Sequence, residues 1–384
     1  MAATTICSGQ NHLFTVGYPP LMKHPLRPRT RVRLPAEWER QAGVMLTWPH
    51  ADSDWGDKLA AAHAEFLDLA CHIAHYEPLL IVCHDASVRD QVAADLGARQ
   101  VDNDRIAFVL CPSDDVWARD HGPITVYQEG AIPLLLDFTF NGWGGKYAHD
   151  LDDLVTRRLY ATDTFGTTDC RRIEWILEGG SIDSDGQGSI LSTTQCLLTD
   201  TRNAGMSLEQ VEMQLQQRLG ASRILWLHEG DLEGDDTDSH VDMLARFANP
   251  ETIVYQQCDD PADPHFPKLQ AMAKELAAFR TLQDRPYRLL PLPWPAAQYA
   301  EDGHRLPLSY ANFLIVNGAV IVPQYMDQAD EEALSVIRRA FPDRQVVGTP
   351  ARTLIGQHGS VHCVTMQIPS AVQLPGLGKT VSAA

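Results

Sequence analysis

Asn312-Phe313-Leu314-Ile315-Val316-Asn317-Gly318-Ala319-Val320-Ile321-Val322-Pro323 places two apolar, β-branched runs on either side of an Asn-Gly pair. Both central residues of a type I′ turn need positive φ, which Asn and Gly accept at little cost, so the stretch reads as a β-hairpin. A helical pattern over about 329–340 follows, then a short strand at Gln345–Val347. The order is strand, strand, helix, strand. A hairpin inside such a unit interrupts the plain βαβ alternation of a doubly wound sheet.

The same mixture recurs outward from this point. Residues 58–77 set Leu59, Ala62, Phe66, Leu69, Ala70 and Ile73 on one helical face, and the apolar run Leu79–Cys83 follows as a strand. A helix over about 86–97 precedes a strand at Ile106–Leu110. Ile124–Tyr127 and Ile132–Phe138 flank Gln128-Glu129-Gly130 as a second hairpin. Helices over about 207–219 and 266–283 lead to strands at Ile224–Leu227 and Arg288–Leu292. This rhythm predicts an α/β protein built from a repeated mixed unit around one centre. No residue-level repeat accompanies it, so organisation alone leaves an ordinary doubly wound sheet open.

Composition narrows the function. The chain has 384 residues, with 31 Lys plus Arg against 50 Asp plus Glu, a formal charge of −19. Nucleic-acid and polybasic membrane-surface binders need a positive footprint, so neither partner is expected. A small cationic substrate suits the charge, as does plain solubility. No run approaches the ~20 apolar residues of a membrane span. The N-terminus has no charged region followed by an apolar core, so no secretory signal is expected. Eight scattered cysteines (7, 71, 83, 111, 170, 196, 258, 363) form no Cys-x-x-Cys pair. That pattern fits neither a disulfide scaffold nor a zinc ribbon, and it points to a reducing cytoplasm. Residues 1–30, with Pro19-Pro20, Pro25 and Pro28, read as a lead-in, 31–372 as one catalytic domain, and 373–384 as a tail.

Four segments carry reactive groups. Trp117-Ala118-Arg119-Asp120-His121-Gly122-Pro123 sits between two strands, where a loop presents side chains to a cleft. Leu177-Glu178-Gly179-Gly180-Ser181 puts a carboxylate before two glycines, which let backbone approach a ligand closely. Asp183-Ser184-Asp185-Gly186 faintly resembles a calcium loop, but its twelfth position is Thr194 rather than Glu, so it reads as a hairpin turn. His240 and Asp242 close the most acidic window. If a strand begins there, the two side chains share one face and form an acid/base pair or half a metal site. Cys363 enters a β run after Gly356-Gln357-His358-Gly359-Ser360-Val361-His362. A cysteine with a distant histidine outlines a thiol nucleophile and its base. A metal site would draw on His240, Asp242, His358 or His362, and Cys363, but no His-Glu-x-x-His spacing supports it.

Taken in order, these pieces resemble the agmatine deiminase and bacterial peptidyl-arginine deiminase family of guanidine-modifying enzymes. The likeness runs from about Arg33 to Ile368. It includes Leu34-Pro35-Ala36-Glu37-Trp38-Glu39, Thr47-Trp48-Pro49, Phe140-Asn141-Gly142-Trp143-Gly144-Gly145, Gly234 to Asp242, Ser309-Tyr310-Ala311-Asn312-Phe313 and His362-Cys363. The resemblance implies a five-bladed pseudosymmetric α/β propeller of ββαβ units with the site on its axis. It implies Cys363 as nucleophile, His240 as general acid/base, Glu178 as partner of the guanidinium and imidazole, and Asp120 and Asp242 as guanidinium-binding carboxylates. Trp117 would line the pocket. Ser239 stands where the family often has Gly.

The chemistry explains the residue types. A guanidinium is planar and delocalised, and its donors pair bidentately with carboxylates. A thiolate then attacks its carbon, and an acid/base group serves the leaving ammonia and the incoming water. No metal or organic cofactor is expected. With no arginine cluster to meet a carboxyl tail, agmatine is favoured, and Asp235, Asp236 and Asp238 are positioned to accept its amine. Arginine or peptidyl-arginine deimination by the same chemistry is the alternative within the family. A metal-dependent amidinohydrolase using the His and Asp cluster is the alternative from another class. A homo-oligomer remains open.

Overall fold

The computed structural model describes residues 32–383, so the expected lead-in over 1–30 lies outside the described residues. Strands β1 (Gln41–Thr47), β2 (Leu79–Cys83) and β3 (Ile106–Leu110) run parallel, joined by helices α1 (Leu59–Tyr76) and α2 (Ala86–Ala98). β4 (Ile124–Gln128) pairs antiparallel with β5 (Ile132–Thr139), and β5 pairs parallel with β6 (Asp169–Ile176) after helix α3 (Asp152–Ala161). The same plan returns in β7 (Ile182–Ser184), β8 (Ser189–Thr193), α4 (Leu208–Leu219) and β9 (Arg223–Leu227). It returns again in β10 (Ala245–Asn249), β11 (Thr252–Gln256), α5 (Phe266–Ala278) and β12 (Arg288–Leu292). A further copy is β13 (Leu314–Val316), β14 (Ala319–Gln324), α6 (Asp330–Ala340) and β15 (Gln345–Pro350).

The fifth sheet is assembled from both ends of the chain. β16 (Thr365–Pro369) pairs antiparallel with β1, so β16, β1, α1 and β2 repeat the ββαβ order across the termini. β17 (Thr380–Ser382) adds parallel to β3, so the segment expected to be a tail carries a strand of this sheet. Among the described residues the strands form five separate sheets, which is an α/β fold but not one continuous doubly wound sheet. No helix among them is long and apolar enough to cross a membrane.

The stretch around Asn317-Gly318 is a hairpin, with Val316 opposite Ala319. Its turn is not type I′. Gly318 has φ +85°, but Asn317 is not in the left-handed region. Tertiary contacts decide this. The Asn317 side chain accepts from the Gln41 N–H at 3.1 Å and donates to the Gln41 carbonyl at 2.9 Å, while its own N–H donates to Glu77 at 2.8 Å. Leu314, Ile315, Val316, Val320, Ile321 and Val322 are fully buried. Each such side chain contributes ~1.5–3 kcal/mol of burial.

Helix α4 begins with a Ser207/Gln210 capping box and ends at Gly220, φ +73°, as its sequence suggests. Helix α5 stops at Ala278 rather than near 283. There the Arg280 guanidinium donates to the carbonyls of Ala277, Ala278 and Phe279, and Arg280 pairs with Pro286. Neighbouring units are tied by their helices: α1 packs on β15, α6 on β12, and α5 on β9.

Candidate active site

The polar residues singled out in the sequence all lie where a unit enters its first strand. Trp117 and Asp120 precede β4 on the short helix Ala118–His121, and Glu178 to Gly180 precede β7. His240 and Asp242 precede β10, Asn312 precedes β13, and His362 and Cys363 precede β16. These are equivalent positions in five units. Their burial against one another brings residues distant in sequence side by side.

His240 and Asp242 do not begin a strand. His240 caps the single turn Val241–Met243, and the strand starts at Ala245. The turn before it uses positive φ at Asp238 (64°) and Ser239 (66°). Glycine takes such a φ with the least strain, so Ser239 stands where Gly would suit the turn. The Ser239 N–H donates to Asp235 at 2.6 Å and its hydroxyl to Gln195 at 2.6 Å, holding the residue in place.

Cys363, Trp117 and Asp120 line a cleft of about 410 Å³. Directly behind it His240, Glu178 and Asp242 are fully buried. Cys363 Sγ lies 3.8 Å from Asp242 Oδ2, His240 Nδ1 lies 3.8 Å from Asp120 Oδ1, and His240 Nε2 lies 3.9 Å from Glu178 Oε2. All six expected residues are therefore brought together. Gly180 sits among them, and its N–H donates to Asp120 Oδ1 at 2.9 Å. The indole of Trp143 donates to Asp120 Oδ2 at 2.9 Å.

The charges oppose one another. Burial pushes the Cys363 thiol well up, and Asp242 and Asp120 push it further, so the resting sulfur keeps its proton. For His240, burial favours the neutral ring but is outweighed by Asp120, Cys196 and Glu178, so the imidazole is held well above its ordinary range. Neither His240 nitrogen has a hydrogen-bond partner among the described residues, so its neighbours act through charge. Burial raises Asp120, with Asp242 and Glu178 adding to the effect and His240 opposing it. Glu178 is lowered despite its burial, through His240 and Arg202.

Four supporting residues carried no role in the sequence reading of a thiol site; His362 entered only as a candidate metal ligand. Asn312 Nδ2 donates to Cys363 Sγ at 3.2 Å, and its Oδ1 accepts from the His362 N–H at 2.9 Å. His362 Nδ1 lies 2.7 Å from Asp242 Oδ2 and its Nε2 lies 2.7 Å from Glu37 Oε2. Glu37 in turn accepts from Arg246 at 2.6 Å, and Arg246 also donates to Asp183 at 3.0 Å. Burial works against an ionised Asp242, but His362 outweighs it and holds the carboxyl below its ordinary range. Asn312, His362 and Glu37 stand inside the motifs quoted above. Arg246 interrupts the apolar strand β10 and is fully buried, a combination that usually signals pairing.

The acidic window divides by partner. Asp235 accepts from Thr237 and Ser239, and Asp238 pairs with Arg202 and Lys146 at 2.6 and 2.9 Å. Only Asp236 of the three lines the cleft, together with Asp54 and Asp115, and Tyr147 donates to it at 2.7 Å. Among the described residues no lysine or arginine lines it. The metal alternative fares poorly on its donors. Glu178, Cys196 and His240 do cluster, but Arg202 Nε already holds both Glu178 oxygens, at 2.8 and 2.9 Å. His358 is turned to the Gly234 carbonyl at 2.7 Å and His362 to its two carboxylates.

The sequence profile of the Porphyromonas-type peptidyl-arginine deiminases matches residues 33–369. The chain belongs to that family. An agmatine deiminase of Stutzerimonas stutzeri is 36% identical over 360 residues, covering 88% of this chain and 95% of its own. A substrate-bound agmatine deiminase of C. jejuni shares the fold at TM-score 0.82 and 32% identity, covering 91% of this chain and 100% of its own. A Porphyromonas gingivalis protein provisionally called an arginine deiminase superposes at TM-score 0.84 and 44% identity, covering 89% and 99%.

Proposed function

We propose that this protein hydrolyses agmatine to N-carbamoylputrescine and ammonia, a step on a route to polyamines. The observation that carries the reading is a thiol and a carboxylate lining a cleft, with a second carboxylate and a charged imidazole directly behind them, the cleft being lined further out by carboxylates and, among the described residues, by no lysine or arginine. The relatives named agmatine deiminases support it, one of them with substrate bound.

In this reading Asp120 and Asp242 grip the guanidinium from opposite edges and set its carbon against Cys363. The bound cation offsets the two carboxylates that raise the thiol, so substrate binding itself favours the thiolate, and the thiol proton passes to solvent because His240 is already charged. Asn312 donates to the sulfur as charge develops there. Thiolate attack on the guanidinium carbon forms the C–S bond and a tetrahedral adduct. His240, cationic at rest, gives its proton to the departing nitrogen, and ammonia leaves. The amidino-thioether keeps the positive charge. Neutral His240 then takes a proton from water, the hydroxide adds to carbon, and the C–S bond breaks to return the thiolate. The ureido product loses its surplus proton to solvent. Glu178, anchored by Arg202, stabilises the imidazolium. Asp54, Asp115 and Asp236 meet the amine tail, where a carboxylate tail would be repelled.

The five units act as blades of a pseudosymmetric propeller whose strand entries meet on its axis, in one cytoplasmic catalytic domain that extends past the expected bound at 372 to include β17. The helices that bridge neighbouring units support this arrangement. Ammonia release from agmatine, arginine and a blocked peptide arginine, with and without chelator, tests the assignment. Agmatine should be the preferred substrate, chelator should have no effect, and Cys363→Ser should lose about 10³-fold or more. Preference for either arginine substrate would overturn the choice of agmatine, and full activity of Cys363→Ser would overturn the thiol mechanism.

A further inference from the structure

We infer that His50, Asp52 and His84 form a site for a divalent transition-metal ion of the zinc class, apart from the thiol. His50 follows β1, His84 follows β2 and Ser113 follows β3, so the carboxyl ends of three parallel strands bring them together. One ligand atom from each of His50, Asp52 and His84 lies within 4.8 Å of the others. His84 Nε2 is already 3.8 Å from Asp52 Oδ2. Donors on a tetrahedral zinc with bonds of ~2.0–2.1 Å stand about 3.4 Å apart. The side chain of Asp52 is 83% exposed and free to swing inward, while the two rings, stacked with centroids 4.0 Å apart, must splay for both lone pairs to reach one ion.

Two features separate this cluster from a chance histidine stack. His84 Nδ1 lies 3.1 Å from the Ser113 carbonyl, and donation there leaves the Nε2 lone pair facing Asp52. A metal-bound histidine commonly donates its other N–H to a carbonyl in this way. The Ser113 N–H stands 3.3 Å from the same nitrogen, and a metal at Nε2 selects the tautomer in which Nδ1 donates. His50 is 3% exposed, yet its Nδ1 has no partner among the described residues. An ion would satisfy this orphaned buried nitrogen.

The rings of His50 and His84 also stack, with centroids 4.0 Å apart and planes 27° apart. Two imidazoles and a carboxylate suit zinc, nickel or copper better than calcium or magnesium, and three protein donors leave a fourth position for water. Two residues beyond Asp52, Asp54 lines the cleft, and Trp55 packs on Trp117 with centroids 6.3 Å apart, so the ion would brace one rim of the cleft.

The test uses the full chain carrying Cys363→Ser, which removes the thiol as a competing soft ligand. Co²⁺ titration should show one equivalent with visible bands of a low-coordinate site, displaced by stoichiometric Zn²⁺. His84→Gln and Asp52→Asn, both at partly open positions, should each weaken Co²⁺ at least tenfold, with metal-free melting unchanged. Absence of a Co²⁺ band overturns the proposal. So does unchanged affinity in both variants, which would place the ion elsewhere.

Discussion

Replacing Gly180 with alanine inserts one methyl group among three reactive side chains. A Cβ at this position would stand 2.5 Å from His240 Nδ1, 3.0 Å from Asp120 Oδ1 and 3.1 Å from Asp242 Oδ2. Ordinary contact begins near 3.4 Å, so His240 must withdraw by 3.4 − 2.5, about 0.9 Å. Gly180 is not in the left-handed region, so alanine fits the backbone and the conflict stays in the site. Misplacing a catalytic group by about 1 Å costs ~10²-fold in rate. Overpacking of this kind costs ~1–3 kcal/mol, well inside the ~5–15 kcal/mol that holds a typical domain. Gly180→Ala should therefore stay folded, melt somewhat lower, and lose kcat by about 10²-fold in ammonia release from agmatine. Gly97→Ala is the matched control. Gly97 lies exposed in α2 with nothing within 4 Å of an added Cβ, so it should gain ~0.5–1 kcal/mol in urea melts at unchanged kcat. A folded Gly180→Ala enzyme with kcat within threefold of the parent would refute the close packing on which this reasoning rests.

Other expectations follow from the same groups. His362→Gln removes the group that holds Asp242 low, so the acid limb of kcat/KM should move to higher pH; an unmoved limb with lower stability would leave His362 a structural role only. Burial holds Glu77 up at about 7 against an ordinary 4.5, so the native state keeps a proton that the unfolded chain has released. Stability should then fall as pH rises from about 4.5 to about 7, by on the order of 3 kcal/mol, and urea melts of Glu77→Gln should lack that slope. Thiolate absorbance of Cys363 should appear at lower pH with a guanidinium analogue bound, and identical titrations would sink the substrate-assisted thiolate. With a formal charge of −19 the protein should draw in a cation, so kcat/KM should fall as salt rises, and a flat salt profile would remove steering.

Much of the site was legible because its groups sit on short, unusual segments. Glu178 stands before two glycines, His240 and Asp242 close an acidic window, and Cys363 follows a Gly-rich loop. These signals are local, and the ordered set of motifs pointed to one family. The acidic candidates Asp235 and Asp238 were misread because their positions say nothing of partners. Both are consumed by Thr237, Ser239, Arg202 and Lys146.

The sequence by itself determined the units: hairpin, helix and strand patterns are written in periodicity over ten or twenty residues, and reactive residues flank them. Only the tertiary structure decided how the chain closes, with β16 from the C-terminal region completing the unit that β1 begins. It also decided the turn at Asn317, whose side chain and N–H are drawn to Gln41 and Glu77 instead of permitting type I′. The line Asp242, His362, Glu37, Arg246 and Asp183 joins four parts of the chain. No spacing encodes such a line. Its members meet because buried charges must find partners, and the nearest ones arrive from strand entries brought together by packing.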